Sequence, residues 1–151
     1  MKILLAIDGS NHSKAVVNEL VHRSWPADTE VRILSVAHPS PYFLDPFLIG
    51  AATHFDSLKE EHDRAENTVT ATSEEIARRA PDLKVTTQVL HGSPKDLIAK
   101  EAGRWGSDLI LMGSRGHGPV GRLFLGTVTQ AVITHAPCAV EIVCTGAPAA
   151  A

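Results

Sequence analysis

The amino-acid sequence predicts an α/β protein built on a parallel sheet. Five short runs rich in Val, Ile and Leu alternate along the 151 residues with segments of helical period, and this alternation is typical of parallel strands joined by crossover helices. The length suits one domain, which buries roughly two-thirds of the surface that the unfolded chain exposes. We therefore expect a single domain at residues 1–145, followed by a disordered Ala/Pro tail at residues 146–151.

The strands are predicted at residues 2–8, 30–37, 84–90, 107–112 and 138–143. The first and fourth runs are almost continuously apolar and the second largely so, as expected for central strands that helices cover on both faces. The third and fifth runs include polar residues such as Thr86, Thr87 and Glu141. This polarity is typical of edge strands.

Four helices are predicted between the strands. The first, residues 13–23, follows an Asp8-Gly9-Ser10 turn whose side-chain oxygens, with that of Ser13, are suited to capping its first turn. The remaining helices are predicted at residues 55–80, from Ser93-Pro94 onward, and from about Gly121 to His135 before Pro137.

The connection at residues 38–54 is too long for an ordinary link between a strand and a helix. It contains three prolines and three aromatic residues, Tyr42, Phe43 and Phe47. Two interpretations stay open: a flap that folds back or touches a second subunit, and a surface loop whose aromatic side chains pin it to its own domain.

Charge and hydropathy exclude several classes of protein. The 14 basic and 17 acidic side chains give a formal net charge of −3, without the clustered Lys and Arg that nucleic acid or an anionic membrane requires. No apolar run reaches the ~18 residues of a membrane span, and the N-terminal run is too short for a signal-peptide core. We expect a cytoplasmic protein with neither nucleic acid nor membrane as partner.

The cysteines and histidines show no pattern of a metal or redox centre. Cys138 and Cys144 are six residues apart, which matches neither a Cys-x-x-Cys pair nor a disulfide framework, so buried reduced thiols are expected. The eight histidines form no pair at i,i+4. We therefore predict no metal ion held by protein ligands alone.

The most informative stretch follows the fourth strand, where five glycines and a proline separate a buried strand from a helix. Glycines at the carboxyl end of a parallel strand let successive backbone N–H groups converge on an anion, and the helix N-terminus adds its dipole. This loop is therefore suited to phosphate. Further donors within it are Arg115, Arg122 and the hydroxyls of Ser114, Thr127 and Thr129.

Spacing separates three kinds of phosphate loop. A P-loop is excluded because no Lys occurs after Lys100. Residues 116–121 match Gly-x-Gly-x-x-Gly, but the match starts four residues beyond the strand, and Glu141 lies inside the fifth strand instead of serving a ribose. The pattern Gly-x-x-Gly-x9-Gly-Ser/Thr remains, and it is met by Gly113, Gly116, Gly126 and Thr127.

With these residues the sequence resembles the ATP-binding subclass of the universal stress protein family. The other matching pieces are Ile7-Asp8-Gly9-Ser10-x-x-Ser13, His91-Gly92-x-Pro94, residues 107–113, and the final strand after Ala136-Pro137. The resemblance implies a doubly wound, open five-stranded sheet of order 3-2-1-4-5, and often a homodimer through the last strand. In that order strands 1 and 4 are neighbours with diverging crossovers, so a crevice forms at their carboxyl ends.

The resemblance also implies a site for an adenine nucleotide, with ATP foremost and AMP or ADP as alternatives, and with Mg²⁺ carried on the phosphates. Ile7 and Asp8 would contact the nucleoside, and the backbone of Val36 would meet the adenine. For Asp8, capping the first helix is an equally strong interpretation, and the two roles are compatible. The ribose and phosphates would be lined by Gly113, Arg115, Gly116, His117, Gly118, Gly126, Thr127 and Val128.

No catalytic residues are predicted, because the loop offers no Gly-x-Ser-x-Gly and no obvious base for phosphoryl transfer. The favoured function is an ATP-binding stress-response or signalling module with little or slow hydrolysis. The alternatives are a nucleotide-free dimerisation or chaperone-like interaction protein, and a genuine weak ATPase.

Overall fold

The computed structural model describes residues 1–38, 51–114 and 125–145. Its strands form one parallel sheet of order β3-β2-β1-β4-β5, which confirms the predicted fold class. In chain order the elements are β1 (Lys2–Ala6), α1 (Asn11–His22), β2 (Glu30–Ala37), α2 (Ala51–Arg79), β3 (Lys84–His91), α3 (Pro94–Trp105), β4 (Leu109–Gly113), α4 (Thr127–His135) and β5 (Ala139–Val143).

The central strand β1 fixes where the topology reverses. Its Leu4 lies beside Arg32 of β2 on one side and Ile110 of β4 on the other. The chain therefore runs outward from β1 to β3 and then returns to fill β4 and β5. The two strands with polar interiors, β3 and β5, are the edges, as their composition predicted.

Two apolar clusters cover the two faces of the sheet. One joins residues of β1 such as Ile3 and Leu5 to α1 and α2, and the other joins Leu4 to α3 and α4. Side chains that alternate along a buried strand serve both faces, which explains the continuously apolar sequence. In α1 the buried apolar residues are Val16, Val17 and Leu20, and they pack on the sheet.

Some predicted boundaries are wrong. The strand β1 ends at Ala6 instead of Asp8, because the chain turns there toward α1, although the N–H of Ile7 still donates to the carbonyl of Leu34 at 3.0 Å. Helix α4 begins at Thr127 instead of about Gly121, since Leu125 and Gly126 lie outside the helix and Gly126 is its N-cap.

The predicted long loop is also shorter than expected, because α2 already begins at Ala51. The rest of that connection, residues 39–50, and the predicted tail at 146–151 lie outside the described residues. Cys138 is half-buried but Cys144 is exposed, so the prediction of two buried thiols is wrong for Cys144, which follows the end of β5. Among the described residues, no helix combines the length and apolar character that crossing a membrane requires.

Candidate functional site

A cleft of about 140 Å³ opens at the carboxyl ends of β1 and β4. Because the crossovers from these neighbouring strands leave in opposite directions, neither helix covers the gap between the strand ends. Open α/β sheets bind their ligands at this kind of position. The described residues that line the cleft are Ala6, Ile7, Asp8, Ser13, Leu34, Val36, Pro94, Ile98, Met112, Gly113, Val128 and Thr129.

The floor and walls of the cleft are mainly apolar. Leu34 and Val36 lie two residues apart on β2, and Met112 lies near the end of β4. Residues two apart on a strand share a face, so this stretch of the sheet presents aliphatic and thioether groups together. Such a surface suits a flat apolar ring better than a fully hydrated group.

Asp8 is the carboxylate in the described lining, and hydrogen bonds fix its orientation. Its Oδ1 accepts from the N–H of Ser10 at 2.9 Å and from the Oγ of Ser13 at 2.7 Å. The N–H of Asp8 in turn donates to the Oγ of Ser13 at 2.9 Å. The N-cap of α1 is Ser10, whose Oγ accepts from the N–H of Ser13 at 3.4 Å, so the prediction that Asp8 itself caps the helix is wrong. Asp8 instead braces the turn before the cap, and this network holds its carboxylate at the rim of the cleft.

The N-terminus of α4 is tied to the end of β4. The Oγ1 of Thr129 donates to the carbonyls of Gly113 and Ser114 at 3.1 and 3.2 Å, and the N–H of Gly126 donates to the carbonyl of Ser114 at 2.9 Å. The first N–H groups of any α-helix have no acceptor within the helix. Those of α4 therefore begin directly beside the cleft and favour an anion there.

The structure brings together five of the predicted site residues. Ile7, Asp8, Val36, Gly113 and Val128 all line the cleft. Gly126 and Thr127 form the N-cap and the first residue of α4, beside the lining residues rather than among them. Predicted site residues that lie outside the described part of the chain are Arg115, Gly116, His117 and Gly118.

Sequence reasoning missed several cleft residues, although signals for some were present. Leu34 shares the period-two pattern of Val36, and Ile98 is one of the buried residues of α3. Thr129 was expected to donate toward a phosphate, but its hydroxyl donates to backbone carbonyls instead. The sequence therefore predicted the polar rim of the cleft better than its apolar wall.

Two histidines that are distant in sequence meet where α2 packs beside the edge strand β3. The rings of His62 on α2 and His91 on β3 stack with centroids 5.0 Å apart, and Nδ1 of His62 lies 3.1 Å from Nε2 of His91. Within residues 1–38, 51–114 and 125–145, no group of three or more His, Cys, Asp or Glu side chains is arranged to hold a metal ion. A magnesium ion at the cleft would therefore depend on ligands beyond the single Asp8 carboxylate.

Comparison with known proteins connects this fold to one family. The model of the universal stress protein family matches residues 1–143. A universal stress protein of Thermus aquaticus is 33% identical over 148 residues, covering 93% of this chain and 96% of the relative. A putative universal stress protein of Staphylococcus haemolyticus is 31% identical over 143 residues, covering 93% and 82%.

Solved structures share the architecture. UspA from Lactobacillus plantarum aligns with a TM-score of 0.79 and 28% identity over 95% of this chain and 97% of its own. An Arabidopsis thaliana family member with AMP bound aligns at 0.67 with 15% identity, covering 97% and 93%. A universal stress protein in complex with cAMP aligns at 0.58 with 21% identity, covering 97% and 98%. At these lower identities the last two likenesses concern the fold alone.

Proposed function

Since the chain belongs to the universal stress protein family, we propose that it binds an adenine nucleotide in the cleft between the ends of β1 and β4. The observation that carries the proposal is the position of this cleft, which joins an apolar wall, a fixed carboxylate and a helix N-terminus at the point where the topology reverses. A nucleotide has the complementary parts, namely a flat base, a ribose with hydroxyl donors, and an anionic tail.

The base and ribose fit the described side of the cleft. Val36 and Met112 offer apolar contact area for a ring, and the backbone of Val36, at the end of β2, is the proposed partner of the adenine edge. The carboxylate of Asp8 is suited to accept from ribose hydroxyls, because ionised acceptors form the stronger hydrogen bonds. Ile7 would pack against the nucleoside beside it.

The phosphates are assigned to the glycine pattern and the N-terminus of α4. Uncharged N–H donors at a helix start hold phosphate without any global positive field, which suits a chain of net charge −3. Mg²⁺ would arrive on the phosphates. The proposed ribose and phosphate ligands are Gly113, Arg115, Gly116, His117, Gly118, Gly126, Thr127 and Val128.

The ligand that we propose first is ATP, with AMP and ADP as alternatives. Support for the adenine class comes from the family members whose structures hold AMP and cAMP. The test is mass spectrometry of small molecules released from the freshly purified, denatured protein, followed by calorimetric titration with ATP, AMP and GTP. Release of an adenine nucleotide and preference for ATP over GTP are expected. Absence of any adenine ligand and of any binding heat would overturn the proposal.

A charge-specific variant locates the site. Asp8→Asn keeps a side-chain oxygen for Ser10 and Ser13 but removes the charge, so it should weaken ATP binding by about tenfold or more while α1 stays capped. Asp82→Asn makes the same change at an exposed position between α2 and β3 and should leave the affinity unchanged. Equal affinities of Asp8→Asn and wild type for ATP would show that the nucleotide does not bind beside Asp8.

We propose binding with little or slow hydrolysis, as a stress-response or signalling module in a single domain at residues 1–145. Occupancy of the cleft would be the signal, read out through the long connection after β2 or through the dimer. Phosphoryl transfer requires a positioned water or acceptor together with charge stabilisation, and the one described carboxylate of the cleft already accepts two hydrogen bonds. Steady-state turnover well above ~1 per second would contradict this part of the proposal.

We also propose that the protein is a homodimer through β5. This edge carries apolar residues, and in the part of the chain that the structure describes no strand pairs with its outer side. An unpaired edge of this kind is a template for another strand.

A further inference from the structure

The outer edge of β5 has a defined set of outward-facing backbone groups. The carbonyl of Val143 accepts from the N–H of Ser114 next to β4 at 3.0 Å, so Val143 directs its backbone groups toward β4. Because these groups alternate along a strand, those of Val140 and Ile142 face away from the sheet. No described residue bonds these two donors and two acceptors, so within the described part of the chain they are available to a second copy.

Two-fold symmetry restricts how two copies of this edge join. An axis perpendicular to the sheet makes the strands antiparallel and must pass through a residue, because hydrogen-bonded and non-hydrogen-bonded pairs alternate. Only an axis through the middle residue, Glu141, overlaps the whole of Ala139–Val143 with its copy. Val140 then lies opposite Ile142 of the partner subunit, and their outward groups exchange hydrogen bonds.

The charge of Glu141 does not oppose this register. Its two carboxylate oxygens accept from Arg23, the C-cap residue of α1, at 2.6 and 2.7 Å, and hydrogen bonding from Arg23 lowers the pKa of Glu141. The two Glu141 side chains that meet at the axis are thus each compensated by an arginine. Between Cys138 and Cys144 there is no lysine or proline, the residues that commonly prevent strand pairing.

The two cysteines stand symmetrically about the same residue. Cys138 is three residues before Glu141 and Cys144 is three residues after it. A register centred on Glu141 therefore sets Cys138 opposite Cys144 of the partner subunit, twice in the dimer. Opposite residues in hydrogen-bonded antiparallel pairs have Cα atoms about 5.5 Å apart, within the roughly 4.4–6.8 Å that a disulfide spans. The bond also requires the Cβ atoms to approach from about 5.5 Å to roughly 3.5–4.5 Å, and both cysteines lie just outside β5, where among the described residues no ladder hydrogen bonds within the sheet hold the backbone against this adjustment.

A bond between the two cysteines of one chain is excluded while β5 is folded. The strand β5 lies between them, and its four steps from Ala139 to Val143 alone span about 13 Å. In the symmetric register the two Cys144 residues lie at opposite ends of the paired strands, so they are also too far apart to form a bond. Only the Cys138–Cys144 pairing between subunits brings two sulfur atoms into range.

We propose that Cys138 and Cys144 form two symmetry-related disulfides across a β5–β5 interface centred on Glu141, so that oxidation locks the dimer. This inference rests on the proposed homodimer but not on the proposed nucleotide site. The oxidant is a low-molecular-weight disulfide such as oxidised glutathione.

The exposed Cys144 is the first thiol to react, because Cys138 is half-buried and burial raises the pKa of the Cys138 thiol. The Cys144 thiolate attacks one sulfur of oxidised glutathione and releases one glutathione. The Cys138 thiolate of the partner subunit then attacks the Cys144 sulfur of this mixed disulfide and releases the second glutathione. Two protein thiols thereby lose two electrons and two protons, and one glutathione disulfide becomes two thiols.

The first test treats the full chain with excess oxidised glutathione and follows it by non-reducing electrophoresis and intact mass. A band of doubled mass is expected that has lost four hydrogen atoms and returns to the monomer with dithiothreitol. Proteolysis should release a peptide that joins Cys138 to Cys144. A Cys138–Cys144 bond within one chain, or a product carrying only glutathione, would overturn the proposal.

Single variants make the test specific for the register. Cys138→Ser and Cys144→Ser should each fail to cross-link alone, whereas an equimolar mixture should give a covalent heterodimer with one disulfide. Cross-linking of Cys144 to Cys144 in Cys138→Ser would contradict a centre at Glu141. Because each serine conserves size, the circular dichroism spectrum verifies that both variants are folded.

Experiments on the reduced protein distinguish the cysteine pairing from the proposed homodimer and from the proposed nucleotide site. Sedimentation in dithiothreitol reports the dimer without any disulfide, and calorimetry with ATP reports the nucleotide site. A reduced dimer that binds ATP but never cross-links would refute only the cysteine pairing. A reduced protein that stays monomeric at all concentrations would refute the interface as well, and the cysteine pairing with it.

Discussion

Gly9 shows how much a single residue contributes to the geometry of the cleft. It lies between Asp8 and the N-cap Ser10 with φ of +79°, in the left-handed region that favours glycine. A Cβ added there would lie 3.2 Å from the Oγ1 of Thr68 on α2. The turn that orients Asp8 is therefore packed closely against the long helix.

Replacing Gly9 by alanine should cost more than the backbone conformation alone requires. We expect Gly9→Ala to lower the free energy of unfolding by roughly 2 kcal/mol, of which about 1 kcal/mol is left-handed strain. Gly106→Ala is the matched control, since Gly106 has φ of +72° with nothing within 4 Å of the added Cβ. Urea unfolding measures the stability of both variants. Equal losses of unfolding free energy would show that the side chain of Thr68 moves away from the added Cβ without destabilising the protein.

At the scale of elements, the junction of β4 and α4 is held by one buried side chain. Thr129 is 2% exposed, and its hydroxyl bridges two carbonyls at the end of β4. Without this donor the two carbonyls lose a partner in a place where water has little access. The position of the helix N-terminus beside the cleft therefore depends on a hydroxyl whose hydrogen-bond partners are both backbone carbonyls.

Thr129→Val, which keeps the shape but removes the donor, should destabilise the protein by about 1–3 kcal/mol. If α4 supplies phosphate donors, the affinity for ATP should fall too. Thr134→Val is the control in the same helix, because Thr134 is exposed and its hydroxyl donates only to the Gln130 carbonyl one turn earlier. Chemical denaturation and calorimetry should show little change in the control. Comparable losses in both variants would assign the effect to helix propensity.

At the scale of the whole molecule, an ion network joins β2 to α3. Glu101 is 3% exposed and accepts from Arg32 at 2.8 Å and from Arg104 at 2.7 and 2.8 Å. Arg32 also stacks 4.4 Å from the ring centroid of Trp105. Burial by itself would raise the pKa of Glu101, but hydrogen bonds from the two arginines outweigh it and lower that pKa.

This network should make stability fall in acid. A carboxyl whose folded-state pKa lies below its unfolded value of about 4.3 stabilises the fold fully above that value. The stabilisation is lost as the pH drops through the lower, folded-state pKa. Between pH 7 and strongly acidic solution, the unfolding free energy of Glu101→Gln should therefore decline less than that of wild type.

At neutral pH the same variant should be less stable by about 1–3 kcal/mol, because it exchanges charged hydrogen bonds for neutral ones. The exposed Glu60→Gln serves as the control. Urea titrations at a series of pH values provide the comparison. Parallel pH profiles for Glu101→Gln and wild type would show that other carboxyls dominate the acid response.

The sequence predicted the strands, the edges and the cap of α1 because each depends on residues within a few positions. An apolar run such as residues 109–112 is buried in any sheet that helices cover on both sides, and the Asp8-Gly9-Ser10 turn contains its own hydrogen-bonding groups. The wrong boundary of α4 has a physical reason as well. The residues before Thr127 are compatible with a helix, but the N–H of Gly126 is engaged by the carbonyl of Ser114.

By itself the sequence determined that five strands alternate with helices and that a glycine-rich loop with Asp8 in the first turn is suited to an anionic ligand. Only the tertiary structure decided which apolar side chains share the cleft, that Arg32 meets Glu101 across 69 positions, and that His62 meets His91 across 29. The reason is that hydrophobic periodicity predicts which face of an element a residue lies on but not which distant residue it contacts. Neighbours are set by the order of the strands, and that order places the ends of β1 and β4 side by side.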